Sequence, residues 1–510
     1  MALCPRKPKG DFLSVITLDI MNMKPDIIFC QQYPMIYFGV LPLLAHMKKA
    51  GYQADILIDT MENNLTERLC ELNPPLVGFS VFSTEHTWLV TMVAKVRKVL
   101  PKTKIVVGGI HAMIYPEKII EDSGVDFVCH CDGEQVIVQL LQEITRTSPD
   151  WQRVHGIIYR DSTGAIHDNG RTPLVPFNDD LIEDRDVYLR RYPDLRRDPI
   201  CFFMSSRGCP YSCTFCYNSY LRNVLGSKGF LRRKKPETFL REIEFNIAKY
   251  NDARNVFFVD DLFTLDKDWL RAFLPGYRRQ VGLPFACTTR ADLLDEQTAD
   301  MLAAAGCIST SFGLETGNED IRKRILNKQV SDEEIVRCGR ILKQHGISVR
   351  TSSMFGLPEE TVEDALKTVT LNIRCGTDMA ASTLLLPYPE TEIARYCKEH
   401  GYLSENYSLK DLPQIQYLRS VMNLPDQQKI INVHYLLYFL VRYPWTYRLG
   451  SQAIRLTMLS PLYHLIFLIG YVIRNMNENR LSWLDALVYG WRKRKLLRSS
   501  IRVRRRPINN

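Results

Sequence analysis

The feature that most constrains this fold is a rhythm that occurs twice. Short apolar runs alternate with amphipathic stretches over about residues 25–145, and again over about residues 199–400. Strands alternating with helices require crossover connections, which give parallel sheets with helices packed on their faces. In the first run, 26–30, 53–58, 75–81, 104–109 and 125–129 read as buried strands. Segments 39–50, 87–100 and 134–144 read as helices, the first closed by Gly51. This predicts a doubly wound α/β sheet with ligands beyond the carboxyl ends of its strands. In the second run, strands are expected at 201–206, 255–261, 284–290, 309–315, 347–355 and 381–386. Helices are expected at 236–249, 295–305, 331–345 and 361–375, with another starting near 390. Six such pairs predict a parallel sheet curved into an open barrel, with its chemistry at the strand carboxyl ends.

The second run opens on Arg207-Gly208-Cys209-Pro210-Tyr211-Ser212-Cys213-Thr214-Phe215-Cys216. Gly208 and Pro210 turn the end of a strand into a loop that carries three thiols. Structural zinc usually takes four protein ligands, whereas a cubane iron–sulfur cluster held by three cysteines keeps one iron open. A zinc site borrowing a remote fourth cysteine, or plain buried thiols, is the alternative.

Cys-x3-Cys-x2-Cys with Phe215 before the last cysteine resembles the signature of radical S-adenosylmethionine (SAM) enzymes. The resemblance implies a [4Fe-4S] cluster on Cys209, Cys213 and Cys216. SAM would chelate the open iron and be cleaved to a 5′-deoxyadenosyl radical. The barrel pattern resembles that family's partial (β/α)6 core. Gly313-Leu314-Glu315-Thr316-Gly317 matches a family motif whose carboxylate holds the ribose or amino group of SAM, a role that falls on Glu315. Asp260 and Asp261 end one strand and Arg290 another. They are expected to bind SAM or substrate, or to form one structural salt-bridge cluster. Gly356-Leu357-Pro358-Glu359-Glu360-Thr361 resembles the segment after the fifth strand, with Glu359 read as a helix N-terminal acid. Tyr388, in Leu386-Pro387-Tyr388-Pro389-Glu390-Thr391, is a candidate proton or hydrogen donor, or else stacks on substrate or packs a lid.

The first run carries Gly108-Gly109-Ile110-His111, then Tyr115-Pro116-Glu117, then Cys131-Asp132-Gly133-Glu134. This order resembles the N-terminal cobalamin-binding domain of the B12-dependent (class B) radical SAM enzymes. Cys131-Asp132 replaces the first half of the usual G-E-G-E, and the domain has no D-x-H-x-x-G. The resemblance implies cobalamin at Gly108, Gly109, Gly133 and Glu134, with His111 packing on it and no histidine of that motif on cobalt. Ser80 and its neighbours Phe82, Ser83 and Thr84 line the nucleotide tail or are ordinary turn residues.

Five segments follow: an arm at 1–23, a Rossmann-like domain at 24–150, a polar linker at 151–198, the radical SAM core at 199–400 and a helical region at 401–510. The linker holds a hairpin signal around Asp161-Ser162-Thr163-Gly164. The 14 cysteines are scattered and the basic N-terminus has no apolar signal core, which points to a reducing cytoplasm. The net charge of +9 is concentrated in a tail, because 492–506 holds nine Lys or Arg and no acid. A nucleic-acid-binding domain face is therefore not expected. Apolar helices are expected at 433–441 and 456–473. The second is close to the shortest bilayer span, and Trp483, Trp491 and the basic tail follow it. Peripheral contact with the inner membrane face is expected, or else a helical cap with a solvated tail, or a true span.

The expected function is a cobalamin-dependent radical SAM methyltransferase acting on an unactivated carbon or phosphorus of a small-molecule or lipid-like substrate. Flavodoxin or ferredoxin would donate electrons. A B12-binding radical SAM cyclase, ring-contracting or oxidising enzyme is the alternative; a methylthiotransferase and a non-catalytic sensor rank lower.

Overall fold

Two sheets, one parallel in its first five strands and one parallel throughout, organise the computed structural model, which describes residues 24–413 and 420–479. The expected arm at 1–23, Trp483, Trp491 and the basic tail lie outside the described residues.

The first sheet contains β1 (Ile27–Gln31), β2 (Ala54–Ile58), β3 (Leu76–Ser80), β4 (Lys104–Gly108), β5 (Phe127–Cys129), β6 (Ile157–Arg160) and β7 (Ile166–Asp168). Their order is β2-β1-β3-β4-β5-β6-β7. The first five pair in parallel. Both faces are buried, which is why these strands read as unbroken apolar runs. Ile27 and Phe29 enter one core with Leu44 and Leu140; Ile28 and Cys30 enter the other with Leu89 and Val93. The chain leaves β1 for β2 on one side and returns to β3 on the other. The crevice at a topological switch point of this kind is where such sheets take ligands.

The hairpin expected in the linker forms, but it is part of this sheet: β6 pairs antiparallel with β5, and β7 with β6. The polar stretch after it ties the two sheets together. The Tyr188 hydroxyl donates to Gln31 Oε1 at 2.7 Å, and the buried Arg185 guanidinium lies 4.0 Å from the Phe203 ring centre.

The second sheet contains β8 (Ile200–Phe203), and, after a two-strand ribbon of β9 (Ser206–Arg207) and β10 (Arg232–Arg233), β11 (Asn255–Phe258), β12 (Phe285–Thr288), β13 (Cys307–Glu315), β14 (Ser348–Phe355) and β15 (Met379–Leu384). The six long strands are parallel and follow chain order, with β8 and β15 at the edges. Their outward residues meet a helix layer rich in aromatic rings. Phe258 stacks on Phe263 at 4.5 Å and Trp269 on Phe273 at 4.6 Å. Truncating one such ring to alanine costs about 3–5 kcal/mol. Helix starts follow the sequence: Ser331 with Glu334, and Thr361 with Asp364, form reciprocal capping boxes. Two helices escape the sequence pattern. Lys267–Gln280 carries Pro275 inside it, and Tyr217–Leu225 begins directly after the last cysteine of the loop.

After Glu392–Glu399 the alternation ends, as expected. Gln427–Arg442 packs against β15, with Ser382 donating to the His434 carbonyl at 3.3 Å. Ser460–Asn479 lies along it, and Pro461 falls in its first turn, where proline is tolerated.

Candidate active site between the two sheets

A cavity of about 310 Å³ opens between the carboxyl ends of the two sheets. The first sheet contributes Ser80, Gly108, Gly109, Cys131, Gly133 and Glu134; the second contributes Met204, Arg207, Gly208, Asn218 and Asp261. Gly109 has φ +89°, and a Cβ there would stand 2.9 Å from the Val81 amide nitrogen. The wall at this point is therefore bare backbone, and its other contacts are mostly apolar. Such a wall fits a flat macrocycle approaching edge-on to the strand ends.

His111 stands behind that wall and does not line the cavity. It is fully buried, with Nδ1 3.1 Å from Ser83 Oγ and Nε2 3.0 Å from His86 Nδ1. Burial, then the neighbouring His86, lowers its pKa to about 3. With both ring nitrogens engaged, it is not presented to a ligand in the cavity.

The cysteine loop is fixed from several directions. β9 and β10 pair beneath it, and at Gly208 (φ +88°) a Cβ would lie 2.4 Å from the Phe230 carbonyl oxygen. The Thr214 amide donates to the Leu326 carbonyl at 3.1 Å, its hydroxyl to the Ile325 carbonyl at 2.7 Å, and Asn327 to the Ser212 carbonyl at 2.9 Å. Cys213 is buried, while Cys209 and Cys216 are half-buried. Burial raises all three thiol pKa values, Cys216 to about 12, and Lys328 and Arg290 oppose the shift at Cys213. Among the described residues no group of three or more His, Cys, Asp or Glu side chains is drawn together as for a single metal ion. A cluster that takes each thiolate on a different iron does not need that convergence, so the loop fits a cubane better than zinc.

Glu315 ends β13 at a register shift and holds φ +66°, a conformation that costs a non-glycine residue energy. Its Oε1 accepts from Lys328 Nζ at 2.7 Å, and Lys328 also reaches the Gly313 carbonyl at 2.7 Å. Arg290 lies 3.8 Å from the Tyr211 ring centre within the cysteine loop, and its Nε donates to Asp292 at 2.8 Å. The single salt-bridge cluster considered for Asp260, Asp261 and Arg290 does not form. Asp260 faces away from the cavity and accepts from the Ser205 amide and hydroxyl, the latter at 2.5 Å, and from the Ser206 hydroxyl. Asp261 alone of the three lines the cavity. Glu359 is not the helix N-terminal acid expected: Thr361 and Asp364 cap that helix, and Glu359 pairs with Arg324 at 2.6 Å. Phe215 and Tyr388 belong to an apolar seam beside the cavity, where the Tyr388 ring lies 4.3 Å from that of Tyr217.

Sequence reasoning missed the ion pairs that join the cavity's walls. Arg207 donates to Glu134 at 2.6 Å and lies 3.6 Å from Asp132, which also pairs with Arg232. Burial disfavours the Arg207 charge, but Glu134, Glu183 and Asp132 outweigh it and raise its pKa. The run Arg232-Arg233-Lys234-Lys235 was the one local signal, and it did not name its partners.

The model of the family described as "B12 binding domain" matches residues 26–141, and that described as "Radical SAM superfamily" matches residues 203–371. The chain is 26% identical over 375 residues to the anaerobic magnesium-protoporphyrin IX monomethyl ester cyclase of Rubrivivax gelatinosus, covering 69% of this chain and 64% of that protein. It is 22% identical over 408 residues to the cytidylyl-2-hydroxyethylphosphonate methyltransferase of Streptomyces wedmorensis, covering 71% of this chain and 73% of that one. Among solved structures, the cobalamin-dependent S-adenosylmethionine radical enzyme OxsB, bound to aqua-cobalamin and S-adenosylmethionine, superposes with a TM-score of 0.66 at 14% identity. That match covers 93% of this chain and 75% of OxsB, and it bears on the fold alone. With both family models in tandem on the two sheets that enclose the cavity, this chain belongs to the B12-binding class of radical SAM enzymes.

Proposed function

We propose that the chain is a cobalamin-dependent radical SAM methyltransferase that methylates an unactivated carbon or phosphorus of a small molecule. The carrying observation is the single cavity shared by the glycine wall of the first sheet and the flank of the cysteine loop. Similarity to a phosphonate methyltransferase supports methyl transfer as the reaction.

When bound, the [4Fe-4S] cluster, SAM and cobalamin supply radical generation and a methyl carrier, and the protein supplies placement. Cys209, Cys213 and Cys216 would hold the cluster. Glu315, paired with Lys328, would take hydrogen-bond donors of SAM, and Arg290 a carboxylate. Gly108, Gly109, Gly133 and Ser80 would back the corrin, leaving room for substrate on the Asp261 side. The apolar seam of Phe215, Tyr217 and Tyr388 keeps bulk water from the cavity's edge, and Tyr388 is the candidate donor of a proton or hydrogen. A flavodoxin or ferredoxin would deliver electrons. A lipid-like substrate and contact with a membrane complete the reading.

The cyclase match favours one second reading, a ring-forming reaction without methyl transfer. The test is anaerobic turnover with methyl-deuterated SAM and candidate acceptors. Products heavier by a deuterated methyl group are expected. SAM cleavage with products of altered ring count and no added methyl would favour the second reading.

A further inference from the structure

The helix Ser460–Asn479 has two unlike faces. Its inner face is committed to the protein. The Tyr463 hydroxyl donates to the Ala453 carbonyl at 2.7 Å, and Ser460 Oγ donates to Asn432 Oδ1 at 2.8 Å. The Phe467 ring lies 4.9 Å from His434 and 5.6 Å from Tyr435. Its outer face carries Leu462, Leu465, Ile469 and Val472 at helical spacing, all exposed. The segment before it adds Trp445 (79% exposed), Leu449 (70%) and Met458 (83%). An apolar surface of this extent marks an interaction site on a soluble domain.

Charge identifies the occupant. Residues 430–477 contain no Asp or Glu, and Arg442, Arg448 and Arg455 are exposed on the same segment of chain, Arg455 within 3.5 Å of Glu363. The sequence then continues to Trp483, Trp491 and the nine basic residues of 492–506. An exposed apolar and aromatic face on a segment rich in Arg and poor in acids complements an anionic lipid surface. Thr457–Arg474 is long and apolar enough to cross a bilayer. A crossing would strip away the Tyr463 and Ser460 bonds and the His434 and Tyr435 contacts, which hold the helix against a domain built on β15.

We propose that this face docks side-on into the surface of an anionic bilayer, embedded along its length without spanning it. The inference deepens the membrane contact of the proposed function. It places docking on the β15 edge of the second sheet and makes a lipid or lipid-linked molecule the substrate class delivered there.

The test is flotation of the full, cluster-loaded chain with phosphatidylglycerol/phosphatidylcholine vesicles, beside phosphatidylcholine vesicles alone. Expected results are co-flotation with the anionic vesicles, weakening as salt rises, and release at alkaline carbonate. Leu465→Glu/Ile469→Glu should lower partition by roughly tenfold or more, with unchanged iron content and thermal transition. If that variant misfolds, Arg448→Glu, which leaves the Arg455–Glu363 ion pair in place, should also weaken anionic binding. Undiminished flotation of both variants would overturn the proposal. So would carbonate-resistant association, which means a span, or a concentration-dependent dimer that the first variant dissociates without any lipid binding. Reductive SAM cleavage in vesicle-free solution should match wild type in both variants, so a failure of docking reads separately from a failure of the enzymatic assignment.

Discussion

The two walls of the cavity achieve placement by opposite means. The first sheet offers shape: exposed backbone at Gly108 and Gly109, apolar side chains, and a histidine turned away into a buried pair with His86. The second sheet lines the cavity with Arg207, Gly208 and Asp261 and keeps its reactive and charged groups beside that lining: three thiols on one pinned loop, Glu315 against Lys328, and Arg290 against Asp292. On the proposed function, one cofactor would be held by surface complementarity and the other by ligation. Loss of either should then leave the other in place.

The largest test removes the ligating side. Cys209→Ala/Cys213→Ala/Cys216→Ala should abolish iron binding entirely and leave corrinoid retention within about twofold of wild type. Iron and cobalt analysis of anaerobically purified protein reads both numbers together. Loss of cobalt along with iron would mean the walls do not act independently.

Next in size is the ionic seam between the walls. Arg207→Gln leaves Glu134 buried without its cation while Asp132 keeps Arg232, and removing one member of a buried pair costs about 3–5 kcal/mol. A lower thermal transition is expected, with Glu134→Gln restoring part of it in the double variant. Additive losses in that cycle would show the pair is not coupled.

A smaller effect sharpens the shape side. A Cβ at Gly108 would meet nothing nearer than 3.9 Å, so a larger side chain there enters the cavity without straining the backbone. Gly108→Leu should weaken corrinoid retention by roughly tenfold, about 1.4 kcal/mol, while iron content is unchanged. Unaltered retention would move the corrin away from this wall.

The sequence made one side of this contrast far more legible than the other. Ligation is local: three thiols within eight residues declare themselves, as does Glu315 inside its short motif. The strand runs were equally plain, because burial on both faces leaves an unbroken apolar pattern. What stayed hidden depends on residues distant in the chain. Asp260 ends its strand as expected, but its partners Ser205 and Ser206 lie over 50 positions earlier. Lys328 arrives from a turn after Glu315, and the Arg207 and Arg232 partners come from the other sheet. The helix Lys267–Gln280 was masked by Pro275, whose local rule was overridden by an aromatic core.

Glu360 tests the second sheet's charge away from the thiols, and its effect at any one pH step is small. It is wholly buried, and its carboxylate accepts from the Gly356 and Leu357 amides at 2.6 and 3.2 Å. Burial pushes its pKa up to about 8, against the pull of those two bonds. A folded pKa above the unfolded value means the folded state keeps a proton that the unfolded chain has released. The stabilising contribution is therefore full below about pH 4.5 and lost as pH rises toward about 8. Over that window wild-type stability should fall by up to about 1.4 kcal/mol per pH unit from this group. Glu360→Gln, which keeps the shape and cannot ionise, should flatten that part of the profile in denaturant titrations run at several pH values. An unchanged slope would mean the carboxylate is already ionised and held by the two amides. The turn after β14 would then carry a fixed negative charge, and the charged character of the second wall would extend beyond its thiols and ion pairs.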